Sequence, residues 1–345
     1  MNPAYLPLLD AAHARLEGET LHSFGDPRAE LAAGESGSVI VPLVHLGLIR
    51  VAGDEAAIFL HNLLSNDVKG LAATGARLNS FCTPKGRMLT SFLMWRDASG
   101  AILLQPAADI AAGLQKKLTM YVLRSKAKVS DAAGETCQFG LAGPQASRAL
   151  QSCGLAVPEA ALGVAHSGEA TVTRLDAARL IVAVPAAAAA AQFDALTAAG
   201  MVAAGTAVWQ ALDIRAGWPL ITAATQEEFV PQMTNFELLG GVSFNKGCYP
   251  GQEIVARTQY LGKLKKRMYR AFVAGGDPPA SATDLYSPDV GEQSCGKVVT
   301  ASRLAGGGCE LLAVMQMSSH DGNDVHLGTP GGPKLEFRPL PYAVS

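Results

Sequence analysis

Hydrophobic positions in the first third of the chain alternate between short β-branched runs and stretches with helical spacing. A run that begins at Val39 and continues to Asp54 predicts a strand, and Asp54 is a favourable N-cap for a following helix. Three further apolar runs predict antiparallel strands, at 77–83, 88–95 and 101–105. A second helix, apolar at i, i+4 and i+8 from Ile110, and a strand at 124–131 complete the order β-α-β-β-(β)-α-β. That order is typical of a split βαβ, ferredoxin-like unit.

The same order of elements recurs in the middle of the chain without visible sequence repetition. Strand-like runs lie at 137–142, 170–175 and 180–184. Helices are predicted after Pro144, after Pro185 and from the N-cap Thr206 to Gly217. Six consecutive alanines at 186–191 favour a tightly packed helix over a low-complexity segment, because alanine has the highest helix propensity. We therefore predict a second ferredoxin-like lobe.

The two ends of the chain differ from this middle region. Residues 1–34 are Ala-rich, and we expect a loosely attached lead-in with one helix. Beyond a loop-rich stretch at 218–262 come short strands separated by Gly and Pro, which are typical of a small antiparallel barrel or sandwich. We therefore predict an α+β protein with a lead-in at 1–34, two lobes within 35–260 (about 35–135 and 136–260, with interleaving allowed) and an all-β domain at 261–345.

Composition and charge exclude several classes of protein. With 345 residues, 49% hydrophobic and 17% charged, the chain is long enough for two or three globular domains. Its formal charge of −2 provides no overall basic excess for nucleic acid or an anionic membrane. The N-terminus lacks a signal-peptide pattern, and no uninterrupted apolar run reaches the roughly 18 residues of a membrane span. We expect a cytoplasmic protein without a membrane contact.

The cysteines and the motifs narrow the chemistry further. The six cysteines are far apart, and none forms the C-x-x-C pairs that are typical of zinc or iron–sulfur ligation. We expect dispersed reduced thiols, most of them buried, and no metal site. Nucleotide-binding loops, zincin helices and nucleophile elbows are also absent from the sequence.

Candidate chemistry is concentrated in the loop-rich segment 229–258. Lys246 places an ammonium two residues from the Cys248 thiol, and a nearby positive charge favours the thiolate. Gly247 allows a backbone or a ligand to come close. Residues 249–252 have Pro and Gly at the two central positions of a type II turn, which would present the thiol rather than bury it. The residues that follow, EIVART, fit a short helix or a strand equally well.

Each of these residues also has a purely structural interpretation. Cys248 is interpreted equally well as a small buried hydrophobic residue, since free cysteine is among the most buried residue types. Lys246 alone fits a solvated surface charge, and Tyr249 fits a core aromatic with a satisfied hydroxyl. From the residues alone, the segment holds a candidate reactive thiol.

The octapeptide K-G-C-Y-P-G-Q-E at 246–253 resembles the signature K-G-C-[FY]-x-G-Q-E of the YgfZ family of folate-binding proteins. PQMTN (231–235), GGVSF (240–244) and Ala256-Arg257 resemble the flanks of that signature. LLSNDV (63–68) and PKGR (84–87) resemble segments shared with the aminomethyltransferase superfamily. The resemblance covers about residues 38 to 340.

The resemblance implies a fold, a ligand and a role. It implies two ferredoxin-like lobes and a C-terminal β-barrel in a ring-like, three-lobed arrangement around a site for a tetrahydrofolate derivative. The implied role is to maintain iron–sulfur enzymes, including one that thiomethylates tRNA, and this role depends on the motif cysteine, Cys248. Lys246 is its candidate catalytic neighbour, and the remaining motif residues are Gly247, Tyr249, Gly251, Gln252 and Glu253. The candidate folate contacts are Asn66, Lys85, Arg87, Gln232 and Asn235, for which hydrogen bonding in turns and caps is an equal alternative.

Departures from the superfamily pattern argue against glycine cleavage. Aminomethyltransferases have an acidic residue shortly after the glycine that corresponds to Gly86, where this chain has the uncharged residues 88–91 (MLTS). A hydroxyl group cannot supply the negative charge that a carboxylate brings to a developing cation. Arg215 stands where relatives often have Glu. If the chain is an enzyme, we expect a folate-dependent transferase of another kind.

A basic cluster follows the motif and has two interpretations. Its residues are Arg257, Lys263, Lys265, Lys266, Arg267 and Arg270. The cluster would attract a folate polyglutamate tail or a tRNA backbone, but a solvated linker surface is the favoured interpretation. We do not expect direct nucleic-acid binding.

Three functional hypotheses follow. The first is a tetrahydrofolate-binding accessory factor for iron–sulfur client enzymes that acts through Cys248. The second is a folate-dependent one-carbon transferase with Cys248 as nucleophile or acceptor. The third is a folate-binding or docking module whose cysteine is structural.

Overall fold

The structure is a computed structural model that describes residues 2–262 and 264–344. Its secondary structure is mixed α and β, as predicted. The α-helices are α1 (Leu6–Ala11), α2 (Pro27–Ser36), α3 (Ala56–His61), α4 (Ala108–Val122), α5 (Ala146–Ser152), α6 (Ala189–Ala198), α7 (Thr206–Ala216), α8 (Gln252–Tyr260) and α9 (Met317–Gly322). None of the helices formed by these residues is long and apolar enough to cross a membrane.

The strands complete the inventory. They are β1 (Arg15–Glu17), β2 (Thr20–Ser23), β3 (Val39–Pro42), β4 (Ile49–Ala52), β5 (Arg77–Cys82), β6 (Met88–Arg96), β7 (Ile102–Gln105), β8 (Lys128–Asp131), β9 (Thr136–Ala142), β10 (Val164–Ser167), β11 (Ala170–Arg174), β12 (Arg179–Pro185), β13 (Val202–Ala203), β14 (Lys266–Val273), β15 (Asp284–Tyr286), β16 (Ser294–Arg303), β17 (Cys309–Gln316), β18 (His326–Leu327) and β19 (Glu336–Arg338).

The chain divides into two compact units, each made of several segments. The first comprises Met1–Leu60, Val68–Arg77 and Phe92–Trp209. The second comprises His61–Asp67, Leu78–Ser91 and Gln210–Ser345. The boundary between Ser91 and Phe92 falls within β6.

Both predicted ferredoxin-like patterns are present, and the second includes two strands that the sequence did not predict, β10 and β13. The first runs β4-α3-β5-β6-β7-α4-β8, and its sheet has the order β5-β6-β7-β4-β8. The second runs β9-α5-β10-β11-β12-α6-β13, and its sheet has the order β10-β11-β12-β9-β3-β13. The two sheets therefore have equivalent strand orders, except that β3 is inserted between β9 and β13 in the second.

The inserted strand corrects one prediction. The run from Val39 to Asp54 was expected to form a single strand, but it forms β3 and β4, which lie in different sheets. The chain turns between them, where the Leu46 amide donates to the Leu43 carbonyl oxygen at 3.1 Å. β3 then pairs antiparallel with β9 and parallel with β13.

The N-terminal segment was expected to be loosely attached, and this prediction was wrong. Tyr5, Leu8, Leu9 and Leu21 are all at most 3% exposed and belong to the core beneath the six-stranded sheet of the first unit. The Tyr5 hydroxyl donates to the Gln138 carbonyl oxygen at 2.8 Å and accepts from the Gln138 amide at 2.6 Å. The segment is therefore an integral part of that unit.

The C-terminal strands form the predicted antiparallel sheet of the second unit. Its order is β18-β15-β16-β17-β14-β19, and its longest pairings join β17 to β14 and to β16. One face covers a core that includes Leu285, Val298, Leu311 and Met315, all 0% exposed. Cys295 and Cys309 lie in the same core.

Candidate functional site

The signature segment 246–253 lies in the second unit, where it forms a loop with Gly247 and Cys248 exposed and then the first turn of α8. The ambiguity over EIVART is resolved in favour of a helix, because α8 spans Gln252–Tyr260. Val255 is its fully buried residue. Upstream, a 3-10 helix at Pro231–Thr234 ends at Asn235, whose backbone is left-handed (φ 57°).

Cys248 is the exposed member of the six cysteines, all of which are free thiols. Cys82, Cys137, Cys295 and Cys309 are buried, and Cys153 is half-buried. Burial raises the pKa of Cys82 to about 11, an effect that a hydrogen bond with Ser80 opposes. Burial also raises the pKa of Cys137 to about 12. The interpretation of Cys248 as a buried hydrophobic residue is therefore wrong.

The turn that follows Cys248 has the predicted type II geometry. The Gln252 amide donates to the Tyr249 carbonyl oxygen at 3.1 Å, and Gly251 has φ 83° and ψ 0°. A side chain at Gly251 would be strained by that backbone. Its Cβ would also lie 2.4 Å from the Thr83 carbonyl oxygen. This position therefore requires glycine for two independent reasons.

The contact at Gly251 joins the two motifs that carry the resemblance. PKGR at 84–87 forms the hairpin turn between β5 and β6, in which the Gly86 amide donates to the Thr83 carbonyl oxygen at 2.9 Å. A Cβ on Gly251 would lie 2.7 Å from the Gly86 Cα, and a Cβ on Gly86 would lie 3.0 Å from the Ile254 Cβ. The hairpin and the Cys248 loop therefore pack backbone against backbone.

Lys246 is directed at the protein rather than at solvent. Its ammonium donates to the carbonyl oxygens of His61 and Leu64, at 2.5 and 2.6 Å. It also lies 4.6 Å from the centre of the Tyr249 ring, within the range of a cation–π contact. These contacts fix the start of the loop, so the interpretation of Lys246 as a freely solvated charge is wrong.

Tyr249 anchors the loop on its inner side. The residue is 6% exposed, as expected of a core aromatic. Its hydroxyl, expected to be satisfied, is buried without a hydrogen-bond partner among the described residues. Burial, and secondarily the charge of the Cys82 thiolate, raise the pKa of Tyr249 well above its usual value. The hydroxyl therefore remains neutral and available to a polar partner.

The remaining signature residues have less restricted surroundings. The Gln252 side-chain amide donates to the Lys246 carbonyl oxygen at 3.4 Å, which closes the loop on itself. Glu253 is exposed in the first turn of α8, where a negative charge is favourable. A Cβ on Gly247 would meet nothing within 4 Å, so the fold itself does not require glycine there.

The candidate folate residue Asn66 makes its side-chain hydrogen bonds within the protein. Its Nδ2 donates to the carbonyl oxygens of Leu78 and Gly240, at 2.8 and 2.6 Å. Its Oδ1 accepts from the Asp67 amide at 2.8 Å. This geometry agrees with the alternative role in turn and cap bonding.

Gln232 and Asn235 lie on the 3-10 helix and at its end, and both are buried. The Gln232 Nε2 donates to the Val255 carbonyl oxygen at 2.7 Å, whereas its Oε1 is buried without a partner among the described residues. The Asn235 Nδ2 donates to the Met268 carbonyl oxygen at 2.8 Å.

Lys85 and Arg87 are exposed on the hairpin turn. Arg87 donates to the carbonyl oxygens of Glu227 and Glu228, at 3.3 and 2.6 Å. Both cations therefore present positive charge to solvent next to the signature loop.

The basic cluster beyond the motif does not act as one surface. Arg267 is buried and pairs with Glu237, and it donates to the Gln232 carbonyl oxygen at 2.9 Å. Arg270 pairs with Glu310 at 2.5 Å. Arg257 and Lys265 are exposed, Lys266 is half-buried, and Lys263 lies outside the described residues.

Two residues that depart from the aminomethyltransferase pattern, Arg215 and Ser91, make hydrogen bonds within the protein. Arg215 donates to the Glu310 carboxylate at 3.1 Å, so Arg215 and Arg270 share one buried acid. Ser91 donates to the Pro219 carbonyl oxygen at 3.1 Å and accepts from the Ile221 amide at 3.0 Å. Both positions therefore have structural partners.

A buried polar network beside Asn66 was not predicted. The Asn66 amide donates to the Asn79 Oδ1 at 2.8 Å, and the Ser80 hydroxyl donates to the Ser65 hydroxyl at 2.8 Å. The signal in the sequence was the pair Asn79-Ser80 inside the otherwise apolar strand β5. Within residues 2–262 and 264–344, no three His, Cys, Asp or Glu side chains are grouped in a way that could hold a metal ion.

Comparison with known proteins identifies the family. Residues 22–243, more than half of the chain, match the GCVT N-terminal domain. The tRNA-modifying protein YgfZ of Sodalis glossinidius is 31% identical over 92% of this chain and 97% of that protein. The tRNA-modifying protein YgfZ of Colwellia psychrerythraea is 30% identical over 80% of this chain and 85% of that protein.

A solved structure supports the fold. The crystal structure of the glycine cleavage system aminomethyltransferase T from Bartonella henselae matches with a TM-score of 0.81. The match covers 98% of this chain and 96% of that chain at 17% identity, so it establishes the aminomethyltransferase-like fold alone. From the sequence matches, the chain belongs to the YgfZ family.

Proposed function

We propose that the protein is a tetrahydrofolate-binding accessory factor that supports iron–sulfur enzymes, including enzymes that thiomethylate tRNA, through the thiol of Cys248. One observation carries this proposal. Cys248 is the exposed thiol of the chain, and it lies in a loop held by the contacts of Gly251, Lys246 and Tyr249. The curated relatives are named tRNA-modifying proteins, which supports a role in tRNA modification.

In this proposal Cys248 is the reacting group and Lys246 is a positioning residue. The Lys246 ammonium is held by two carbonyl oxygens and the Tyr249 ring, so it orients the loop that carries the thiol. An exposed thiol on a fixed turn can engage a sulfur species or a partner thiol without unfolding any core element.

Several residues near the loop fit a folate. The pterin ring of tetrahydrofolate offers N–H donors, and Gln232 Oε1 is a buried acceptor that lacks a donor among the described residues. The glutamate carboxylates of tetrahydrofolate match the exposed charge of Arg87. Asn66 fits less well, because its side-chain hydrogen bonds are made within the protein.

A one-carbon transferase is the competing function. The segment 88–91 carries no carboxylate, and the Ser91 hydroxyl is engaged by backbone groups at 219 and 221. A cationic transition state would therefore lack a negative charge at that position. This difference favours an accessory role over transfer chemistry.

Titration of the purified protein with tetrahydrofolate tests the ligand and the role of the thiol together. We expect binding to the wild type, and a Kd for Cys248→Ser within about twofold of it, because the thiol is not a proposed folate contact. Arg87→Ala should weaken binding by about three- to tenfold through the lost charge, whereas the matched variant Lys116→Ala should not. Absence of tetrahydrofolate binding would reject the ligand, and folate-dependent one-carbon transfer by the purified protein alone would favour the transferase.

A further inference from the structure

The outer side of α8 exposes three apolar side chains beside the Cys248 loop. Ile254 is 37% exposed, Tyr260 68% and Leu261, which follows the helix, 84%. Ile254, Arg257 and Leu261 are spaced i, i+3 and i+7, so they share one side of the helix, opposite the buried Val255. Clustered exposed apolar residues mark interaction surfaces more often than scattered ones do.

We call this surface the α8 face and define it as Lys85, Ile254, Arg257, Tyr260 and Leu261. Lys85 belongs to it because the next residue, Gly86, packs against Ile254. A Cβ added to Gly86 would lie only 3.0 Å from the Ile254 Cβ. Tyr260 and Arg257 are residue types enriched at the energetic centres of protein interfaces.

The α8 face is continuous with the thiol. The Tyr260 ring lies 5.8 Å from the Phe244 ring, four residues before Cys248, so the far end of α8 returns to the start of the loop. The near end begins four residues after Cys248, and a nine-residue helix is about 14 Å long. At Gly247 an added Cβ would meet nothing within 4 Å, so an approaching chain has room there. A partner on the α8 face would therefore have a segment within reach of the thiol.

The charge of the face selects the kind of partner. Lys85 and Arg257 contribute two positive charges, and Glu253, four residues before Arg257, contributes one negative charge. The local excess is therefore positive, although the chain as a whole carries −2. Nucleic acid requires several cations for each bound segment, and aliphatic Ile254 and Leu261 add nothing to phosphate binding. Apolar contacts with a positive edge fit a protein segment that combines acidic and apolar side chains.

We infer that the α8 face is a docking surface for an acidic, apolar segment of a partner protein, which brings a sulfur atom of that partner to Cys248. This inference rests on the proposed function, because it takes Cys248 as the reacting group. It adds the chemistry of the client surface and the residues that recognise it.

Disulfide exchange with defined peptides tests the inference. The probes are ten-residue peptides with one cysteine joined through a disulfide to 2-nitro-5-thiobenzoate. One peptide carries Asp and Leu, the second replaces Asp with Lys, and the third replaces Leu with Ser. The Cys248 thiolate attacks the peptide sulfur, a Cys248–peptide disulfide forms, the original disulfide breaks, and nitrothiobenzoate leaves as a coloured thiolate. The protein carries Cys153→Ser, so that its half-buried thiol does not contribute.

We expect the acidic, apolar peptide to react about tenfold faster than the other two at low salt, because both charge and apolar contact favour its docking. Leu261→Ser should bring the rates of the acidic, apolar peptide and the peptide without Leu within about twofold of one another, and Arg257→Glu should remove or reverse the preference over the Lys peptide. The matched variants Leu123→Ser, at a residue of similar exposure (87%), and Lys116→Glu should keep the full preference.

Other outcomes would overturn the inference. Equal rates for the three peptides, while the small reagent dithiobis-nitrobenzoate still modifies Cys248 rapidly, would reject the docking surface and leave the proposed role of the thiol standing. Failure of that small reagent to modify Cys248 would reject the thiol-centred function itself. Protection of Cys248 by a short single-stranded RNA, with no effect of peptide charge, would assign the face to nucleic acid instead.

Discussion

At the scale of single residues, the six thiols differ in exposure, and this difference decides which of them can react. Cys248 is exposed on its turn, whereas four others are enclosed in cores. Because burial disfavours the thiolate, the pKa of Cys82 is raised to about 11, and its thiolate is scarce at neutral pH.

Brief treatment of the folded protein with iodoacetamide at pH 8 should therefore label Cys248 first. We expect Cys248 to be modified at least about tenfold faster than Cys82 or Cys137, as followed by peptide mass spectrometry. Labelling in denaturant, where all six thiols are exposed, serves as the control. Comparable rates for Cys248 and Cys82 in the folded protein would contradict the geometry of the loop.

Two glycines of the signature segment differ in whether the fold requires glycine: it does at Gly251 and does not at Gly247. Gly251→Ala places a Cβ against the Thr83 carbonyl oxygen on a backbone with φ 83°, and we expect it to lower the free energy of unfolding by about 1–3 kcal/mol. Gly247→Ala has open space and should change that free energy by less than about 0.5 kcal/mol. Urea denaturation of both variants measures the difference, and equal destabilisation would contradict it.

At the scale of secondary-structure elements, the N-terminal segment was predicted to be loosely attached, but it packs into the core of the first unit. The order of apolar and polar residues in this segment shows no strong periodicity, yet α1 and β2 place apolar side chains in the core of the first unit. The buried Tyr5 hydroxyl is both donor and acceptor to Gln138 of β9, a residue more than 130 positions away. A local pattern cannot reveal such a pairing.

Removal of this hydroxyl tests the attachment. Tyr5→Phe leaves the Gln138 amide without the hydroxyl that accepts from it, whereas the Gln138 carbonyl oxygen keeps the Leu43 amide as a donor. We therefore expect a loss of about 1–3 kcal/mol in the free energy of unfolding. Tyr260→Phe, at an exposed ring, should change it by less than about 0.5 kcal/mol. Equal stability of both variants would mean that the segment is only loosely held.

Elements defined by local pattern were predicted well, and elements defined by distant pairing were not. The first β-α-β-β-β-α-β pattern, most of the second and the type II turn after Cys248 follow from periodicity and from Pro-Gly chemistry, whereas strands β10 and β13 were not predicted. The insertion of β3 between β9 and β13 depends on partners about 100 and 160 residues away. For the same reason the carbonyl oxygens that hold Lys246 could not be inferred.

At the scale of the whole molecule, family membership and fold limit the possible functions, but they do not determine which reaction, if any, the protein performs. A shared fold hosts different reactions, so the aminomethyltransferase-like architecture does not by itself imply aminomethyl transfer. The exposed Cys248 thiol in its fixed loop is the feature on which the proposed support of other enzymes depends, rather than aminomethyl transfer.

Complementation of a bacterial strain that lacks its own YgfZ tests this account most directly. Wild type, Cys248→Ser and the control Cys153→Ser would be expressed at equal levels, and the thiomethylated fraction of tRNA would be measured by mass spectrometry of digested nucleosides. We predict that wild type and Cys153→Ser restore the modification, whereas Cys248→Ser leaves it at the level of the deletion strain that carries no complementing gene. Full restoration by Cys248→Ser would contradict the account and leave the cysteine without a role in function.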